Sequence, residues 1–131
     1  MRNEKPELKK RSYFYALKII KLIDTLDKRD FSIQVITKQL LRSATSVGAN
    51  IIEAQAGHSR RDFTNFFSYA LKSANESKFW LGLLRDSKKA DPHRINGLLE
   101  ETTEIANILG SSIITLKGKR KMESEKLKVT V

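Results

Sequence analysis

A chain of 131 residues can bury one modest hydrophobic core, and no Gly-, Ser- or Pro-rich linker divides this one into two domains. Apolar residues make up 40% of it and charged residues 31%, which is too apolar for wholesale disorder, and the lack of cysteine excludes disulfides, thiolate catalysis and cysteine metal sites. The formal net charge of +10 favours a polyanionic partner.

Most of the excess positive charge lies at the two ends of the chain. Residues 1–12 carry five basic and two acidic side chains, net +3, and residues 117–131 carry six and two, net +4. The body between them, 13–116, carries fourteen basic and eleven acidic side chains, a net charge of only +3. Basic ends on a nearly balanced body favour contacts to phosphates, because each neutralised phosphate releases counterions. The alternative is that the lysine-rich ends only keep the protein soluble.

The N-terminal segment MRNEKP lacks the apolar stretch of a signal peptide, and no apolar run reaches the length that crosses a bilayer. The absence of cysteine agrees with a reducing compartment. We therefore expect a cytoplasmic protein without membrane contact.

Four stretches show the 3.6-residue apolar period of amphipathic helices. Their predicted ranges are 8–28, 32–56, 60–88 and 92–117. Asp30 or Ser32 can cap the second helix, Ser59 and Asp62 resemble a capping box for the third, and Asp91 followed by proline starts the fourth. Short connections between such helices predict an all-α, antiparallel up-down-up-down four-helix bundle.

Two glycines mark predicted helix ends. Gly57 can take the left-handed conformation that closes the second helix, and Gly118 is expected to stop the fourth. The bundle is thus predicted for 12–118, preceded by a basic arm, 1–11. The residues 119–131 are polar and have no sustained period, so we expect a basic, mobile tail that orders only on a partner.

The second helix is apolar over a wider arc than one core requires. One arc holds Ile33, Ile36, Leu40, Ala44, Val47, Ile51 and Ala54. Leu41, Gly48 and Ile52 widen it to roughly 160°, more than the stripe of an ordinary surface helix. This helix is therefore expected to bury more than one side.

A stripe of mostly small polar residues runs beside that arc. It consists of Gln39, Ser43, Ser46, Asn50 and Glu53. The stripe is either a solvated face or a close-packed, hydrogen-bonded contact with another helix. On the third helix Glu76 lies among apolar positions and needs a partner, for which Arg42 is the candidate.

The residues needed for common helical active sites are missing. The chain has no Glu-x-x-His pair for a di-metal centre and no Gly-rich phosphate loop. His58 and His93 fall at helix junctions and are expected to be exposed, and Arg85 and His93 straddle a helix break, which disrupts the Arg–His spacing of some helical ribonucleases. Serines of the second and third helices lack a nearby base and are interpreted as packing residues. We expect no enzymatic activity, no metal and no cofactor.

A spaced pattern in the middle of the chain resembles a known family. The pattern comprises Gln39, Arg42, Ser43, Ala44, Ser46, Ala49, Asn50, Ile51, Glu53 and Ala54, followed by Ser59, Asp62, Phe63, Phe67, Ala70, Ser73 and Glu76. It resembles the bacterial four-helix-bundle family of 23S rRNA intervening-sequence proteins, which includes the accessory variability protein of diversity-generating retroelements. The chain departs from the family in Ile51-Ile52-Glu53-Ala54, where Ile-Ala-Glu-Gly is usual, and in Lys72, where a small residue is common.

The resemblance implies ring-shaped homopentamers, some encoded within intervening sequences of ribosomal RNA genes and some partnering a reverse transcriptase. It also implies that a set of motif residues packs between helices or subunits. These are Gln39, Arg42, Ser43, Ser46, Asn50, Glu53, Ser73 and Glu76.

Charge placement and resemblance together favour a non-enzymatic oligomeric module that binds structured RNA, an RNA/DNA hybrid or nucleic-acid-processing machinery through basic surfaces. Candidate phosphate contacts are Lys9, Lys10, Arg11, Lys18, Arg60, Arg61, Lys117, Lys119, Arg120 and Lys121. The aromatic residues Phe63, Phe66, Phe67 and Trp80 are predicted core residues, so binding should depend on shape and charge.

Two alternatives to RNA binding remain open. The first is a protein scaffold or accessory factor that binds the reverse transcriptase of a diversity-generating retroelement and has no direct role with RNA. The second is a helical ribonuclease toxin, which would require RNA cleavage that depends on His93.

Overall fold

The computed structural model describes residues 7–56 and 59–129. These residues form four α-helices, α1 (Leu8–Asp24), α2 (Phe31–Ala54), α3 (Arg60–Asp86) and α4 (Pro92–Val129), and contain no strand. Each helix contacts its neighbours in the chain, and α1 also contacts α4. The described residues are therefore an all-α four-helix bundle, as the apolar periods predicted.

Contacts between helices fix their directions. Lys89, just after α3, donates to Asp30, just before α2, at 2.6 Å between Nζ and Oδ2. Arg60 at the start of α3 pairs with Glu123 in the last part of α4. The short connection 25–30 makes α1 antiparallel to α2. All neighbouring helices therefore run in opposite directions, and α1 is antiparallel to α4 as well.

One buried row from each helix forms the core. Its largest fully buried apolar side chains are Tyr15, Ile19 and Leu22 of α1, Leu40, Val47 and Ile51 of α2, Leu81 and Leu84 of α3, and Ile95, Ile105 and Leu109 of α4. Of the aromatic residues predicted for the core, Phe67 is buried, whereas Phe63, Phe66 and Trp80 are partly buried against its edge.

Side-chain caps start α2, α3 and α4 where the sequence placed them. Asp30 Oδ1 accepts from the Ile33 N–H at 3.0 Å, so Asp30 rather than the nearby serine caps α2. Ser59 Oγ accepts from the Asp62 N–H at 3.2 Å. Asp91 Oδ1 accepts from the N–H two residues later at 3.3 Å. These caps satisfy backbone donors that have no partner within the helix.

The prediction that the first helix reaches residue 28 was wrong. Helix α1 ends at Asp24, and the Thr25 hydroxyl donates to the Leu22 carbonyl at 2.7 Å. The Lys28 ammonium group turns back to donate to the Ile23 carbonyl. Both side chains satisfy carbonyls at the end of α1, which closes the helix before the turn into α2.

The prediction that the fourth helix ends at Gly118 was also wrong, because α4 continues to Val129. Glycine inside a helix costs only about 1 kcal/mol relative to alanine, and the residues that follow are mostly good helix formers. At the other terminus, the predicted basic arm 1–11 overlaps α1, which already begins at Leu8. Residues 1–6, 57–58 and 130–131, with Gly57 and His58 among them, lie outside the described residues.

The wide apolar arc of α2 is only partly covered within one chain. Leu41 and Ile52 remain 37% and 48% exposed. Gly48 lies against α1, where an added Cβ would stand 3.3 Å from the Ser12 hydroxyl. This antiparallel contact places the exposed Ile20 of α1 roughly level with Leu41, and we call the exposed apolar residues Ile20, Leu41 and Ile52 the seam of α1 and α2.

A layer of hydroxyl groups crosses the core and includes one residue from each helix. The hydroxyls of Tyr15 and Thr102 lie 2.7 Å apart, and those of Ser43 and Ser77 lie 2.8 Å apart. Ser77 also lies near the Tyr15 phenol, so the two pairs belong to one layer. All four side chains are buried, and burial raises the pKa of the Tyr15 phenol.

Candidate nucleic-acid interface

The antiparallel arrangement gathers basic residues from distant parts of the chain at one end of the bundle. The starts of α1 and α3 lie at this end together with the last part of α4, and we call it the basic end. Its exposed cations are Lys9, Lys10, Arg60, Arg61, Lys117, Lys119, Arg120 and Lys121. Eight of the ten predicted phosphate contacts thus share one region of the surface.

The last part of α4 extends the basic end. Helix α4 has 38 residues and α3 has 27, which correspond to lengths of about 57 and 40 Å. Every described side chain from Lys117 to Lys128 is exposed. Arg60 pairs with Glu123, which attaches the extension to the start of α3 and reduces the positive charge available there. Sequence reasoning did not single out Lys126 and Lys128, which lie on the same helix and contributed to the net charge of the C-terminal segment.

Arg11 does not belong to this exposed set. Only 8% of it is exposed, and its Nε donates to Glu101 Oε1 at 2.6 Å. Its Nη2 donates to Glu101 Oε2 at 3.2 Å and also to Glu104. The hydrogen bond to Glu101 raises the pKa of the guanidinium despite partial burial. Arg11 thus joins α1 to α4, and two carboxylates already pair with the guanidinium that was predicted to contact phosphate.

Lys18 lies apart from the basic end, on the side of the bundle where α1 faces α4. There it lines a cleft with Lys21 of α1 and Arg94 of α4. The sequence carried a signal for Lys21, because it lies three residues after Lys18 on the same face of a helix. Arg94 could not be found in this way, because its position depends on how α4 packs.

The family-motif residues lie along the contact between α2 and α3. Arg42 Nη2 donates to Glu76 Oε2 at 2.6 Å, which is the predicted pair, and Arg42 Nε donates to Gln39 Oε1 at 3.2 Å. Trp80 Nε1 also donates to Glu76 Oε2, at 3.0 Å. The Trp80 and Arg42 hydrogen bonds lower the pKa of Glu76. The carboxylate is nevertheless 37% exposed, so the predicted apolar surround is incomplete in a single chain.

The small polar stripe of α2 combines both predicted kinds of environment. Ser43 is buried on Ser77 and makes a close helix contact. Ser46 and Asn50 instead bond to carbonyls one turn earlier in α2, at 2.7 and 2.8 Å, and Glu53 is exposed. On α3, Ser73 is half-buried. The stripe is therefore a packed contact at Ser43 and a partly solvated face elsewhere.

His93 is exposed in the first turn of α4. Within 7–56 and 59–129, no three His, Cys, Asp or Glu side chains come together in a group that could hold a metal ion. No helix of the described part of the chain combines the length and apolar character needed to cross a membrane.

The fold and this surface define a class of protein: an antiparallel four-helix bundle with a strongly basic end and a hydrogen-bonded α2–α3 contact. The chain belongs to the 23S rRNA-intervening sequence protein family, whose sequence model matches residues 4–111. The matched region stops before the exposed basic part of α4.

A solved structure supports the same assignment. The chain is similar to a protein of unknown function from the S23 ribosomal protein family of Bacteroides thetaiotaomicron, with 39% sequence identity and a TM-score of 0.75. The match covers 81% of this chain and 97% of that chain. No curated protein matches the chain at a significant level.

Proposed function

We propose that this protein binds structured RNA through its basic end as a non-enzymatic, oligomeric module. The observation that carries the proposal is the convergence of eight exposed cations from three helices on one end of the bundle. Clustered cations bind a polyanion more strongly than dispersed ones, because their fields add over distances comparable with the Debye length.

The chemistry of the basic end favours recognition of shape and charge. Lysine and arginine dominate it, whereas Phe67 is buried in the core and Phe63 packs against its edge. Phosphate contacts position a nucleic acid but carry no direct sequence information. Folded RNA presents closely spaced phosphates to such a surface, and the family's association with 23S rRNA intervening sequences agrees with an RNA ligand.

Assembly into a homo-oligomer, a pentamer by resemblance, would strengthen this binding. Each subunit would bring its own basic end, and several ends on one particle would engage one RNA with an avidity beyond that of a single contact. The exposed apolar residues Ile20 of α1 and Leu41 and Ile52 of α2 are the surface that such an assembly would cover.

The test compares two triple variants with the same change in net charge. The first variant changes the basic end and carries Lys117→Glu, Lys119→Glu and Lys121→Glu. The control variant changes exposed lysines elsewhere and carries Lys38→Glu, Lys72→Glu and Lys88→Glu. Binding to a structured RNA is measured by filter retention from about 50 to 200 mM salt. We expect the first variant to lose at least tenfold in affinity and to lower the salt slope by about 2 to 3, and the control to lose less than threefold.

Equal losses in the two variants would show that overall charge, not the basic end, attracts RNA. No RNA binding by the unmodified protein even at low salt would overturn the proposal. In that case, nuclease-resistant co-purification of a single polypeptide from the native host would favour the alternative of an accessory factor for a reverse transcriptase.

A further inference from the structure

A cleft runs along the side of the bundle between α1 and α4. One part has a volume of about 550 Å³ and is lined by Arg11, Phe14, Leu17, Lys18 and Lys21 among others. The adjoining part, of about 300 Å³, shares Lys18 and Lys21 and adds Arg94 and Leu98. Because the two parts share residues, we treat them as one site, the α1/α4 cleft. Its size is within the range of small-molecule sites.

The rim of the cleft is cationic and open to a ligand. Lys18, Lys21 and Arg94 are exposed, and within the described residues none of them forms an ion pair. Among the described residues, Glu101 is the only carboxylate that lines the cleft, and it already accepts two hydrogen bonds from Arg11. The net field in the cleft is therefore positive and favours an anion.

Arg11 forms part of the wall of the cleft. It is more than nine-tenths buried, and its Nη1 has no hydrogen-bond partner among the described residues. A buried guanidinium N–H without a partner is costly. Nη1 is itself covered by protein atoms, so the contacts to a ligand fall to the exposed cations on the rim.

The wall of the cleft fits an aromatic ring. Phe14 is 53% exposed although it is large and apolar, Leu17 lines the same part of the cleft, and Leu98 lines the adjoining part. A planar base can stack on a phenyl ring, with a contribution of about 1 to 3 kcal/mol in single-stranded nucleic-acid complexes. The cleft thus offers a flat apolar contact and an anion contact within one small volume.

We propose that the α1/α4 cleft binds a nucleoside phosphate, with the base on Phe14 and the phosphate held by Lys18, Lys21 and Arg94. The ligand is either a free nucleotide or one nucleotide of an RNA strand, since both present the same base and phosphate. The site is distinct from the basic end, and it goes beyond the proposed function because a free nucleotide would bind even if the basic end bound no RNA.

Isothermal titration of the full chain with AMP, adenosine and inorganic phosphate tests the site. We expect AMP to bind at least tenfold more tightly than either adenosine or phosphate. Lys18→Glu combined with Lys21→Glu should weaken AMP binding at least tenfold, and Phe14→Ser should weaken it at least fivefold while phosphate binding is unchanged. Lys119→Glu combined with Lys121→Glu, which matches the first variant in charge, should leave AMP binding unchanged.

AMP binding no tighter than that of phosphate, or an equal loss in the two double lysine variants, would overturn the inference. Competition by a five-nucleotide RNA identifies the source of the nucleotide. If the RNA displaces bound AMP at a concentration at least tenfold lower than unlabelled AMP requires, the cleft binds a strand. If both competitors act at equal concentrations, the cleft binds a free nucleotide. Loss of RNA binding in the Lys119/Lys121 variant with AMP binding intact would separate the cleft from the basic end.

Discussion

Four buried hydroxyl groups lie in the core, on Tyr15, Ser43, Ser77 and Thr102. Each hydroxyl has hydrogen-bond partners within the layer or on nearby carbonyls, as for Thr102, whose Oγ1 donates to the Leu98 carbonyl at 2.6 Å. A sliding movement of one helix would leave these groups buried and unpaired, which costs more than the bonds themselves contribute. The layer therefore favours a single register of the four helices.

Replacing Tyr15 by phenylalanine should destabilise the bundle by about 1 to 2 kcal/mol, because Thr102 loses a buried hydrogen-bond partner. Urea unfolding at pH 7 measures the change. Tyr69→Phe is the matched control, since Tyr69 is 54% exposed and its loss should be within about 0.5 kcal/mol. Equal effects of the two substitutions would show that the hydroxyl layer does not contribute to stability.

Glu76 makes stability depend on acid pH. Its pKa is lowered by the hydrogen bonds from Trp80 and Arg42, so the folded state favours the carboxylate. The resulting stabilisation is present above the unfolded value near 4.5 and is lost as the pH falls through the lower folded value. We expect Glu76→Gln to lower the free energy of unfolding by about 0.5 kcal/mol at pH 7, a small effect because the side chain is more than a third exposed.

The difference in free energy of unfolding between the unmodified protein and Glu76→Gln should shrink to zero between pH 4.5 and pH 2, as measured by urea titrations of both proteins. Glu53→Gln, which removes the charge of an exposed side chain on α2, is the control. A Glu76→Gln deficit that stays constant from pH 7 down to pH 2 would contradict ionisation as its cause.

Helix α4 differs from the other three helices because nearly a third of its length does not pack on the core. Its part up to Ile113 supplies buried residues, whereas the described side chains after Leu116 are exposed. Helicity in that extension depends on local propensity and on the Arg60–Glu123 pair. Rigid helical presentation would hold its cations at fixed spacings, which a flexible tail would not.

Gly118 is the weakest point of this extension. A Cβ added there meets no atom within 4 Å, so Gly118→Ala should strengthen the helix by about 1 kcal/mol. We expect amide hydrogen exchange of residues 119–128 to slow about fivefold. Gly48→Ala is the contrasting substitution, because its Cβ would stand 3.3 Å from the Ser12 hydroxyl and should give no gain in stability. Complete exchange of 119–128 at the rate of an unfolded chain in both Gly118 proteins would support a mobile tail.

The molecule as a whole presents three different kinds of surface. The basic end carries exposed cations, the α1/α4 cleft combines cations with Phe14, and the seam between α1 and α2 exposes apolar side chains such as Leu41 and Ile52. Subunit contacts through Ile20, Leu41 and Ile52 would not use Phe14 or the cations of the basic end. Assembly through the seam is therefore compatible with the RNA binding that we propose for the basic end.

We expect light scattering at micromolar concentration to show an oligomer. Leu41→Lys combined with Ile52→Lys should reduce the measured mass to that of a smaller species, because burying two charges in an apolar contact is strongly unfavourable. Ile114→Lys, at an exposed position on α4, should leave the mass of the assembly unchanged. A monomer in the unmodified protein would remove the argument from the exposed arc of α2.

Much of the fold could be predicted from the sequence, because helices and caps depend on local chemistry. The 3.6-residue apolar period located four helices, and Asp30, Ser59 and Asp91 marked their starts. The Arg42–Glu76 pair was predictable because an ionised carboxylate among apolar positions needs a cation. The end of α4 was not, because the small cost of Gly118 is offset by helix-forming neighbours and by a contact with Arg60.

The sequence alone determined the helical class, the helix starts and the excess of positive charge near the termini, since each depends on residues close together in the chain. Only the tertiary structure decided which cations act together. Antiparallel packing brings Arg60 and Arg61 beside the last part of α4, buries Arg11 on Glu101 and places Lys18 with Arg94. Those outcomes depend on which helix faces lie opposite each other, and the side-chain period of a single helix carries no information about its neighbour.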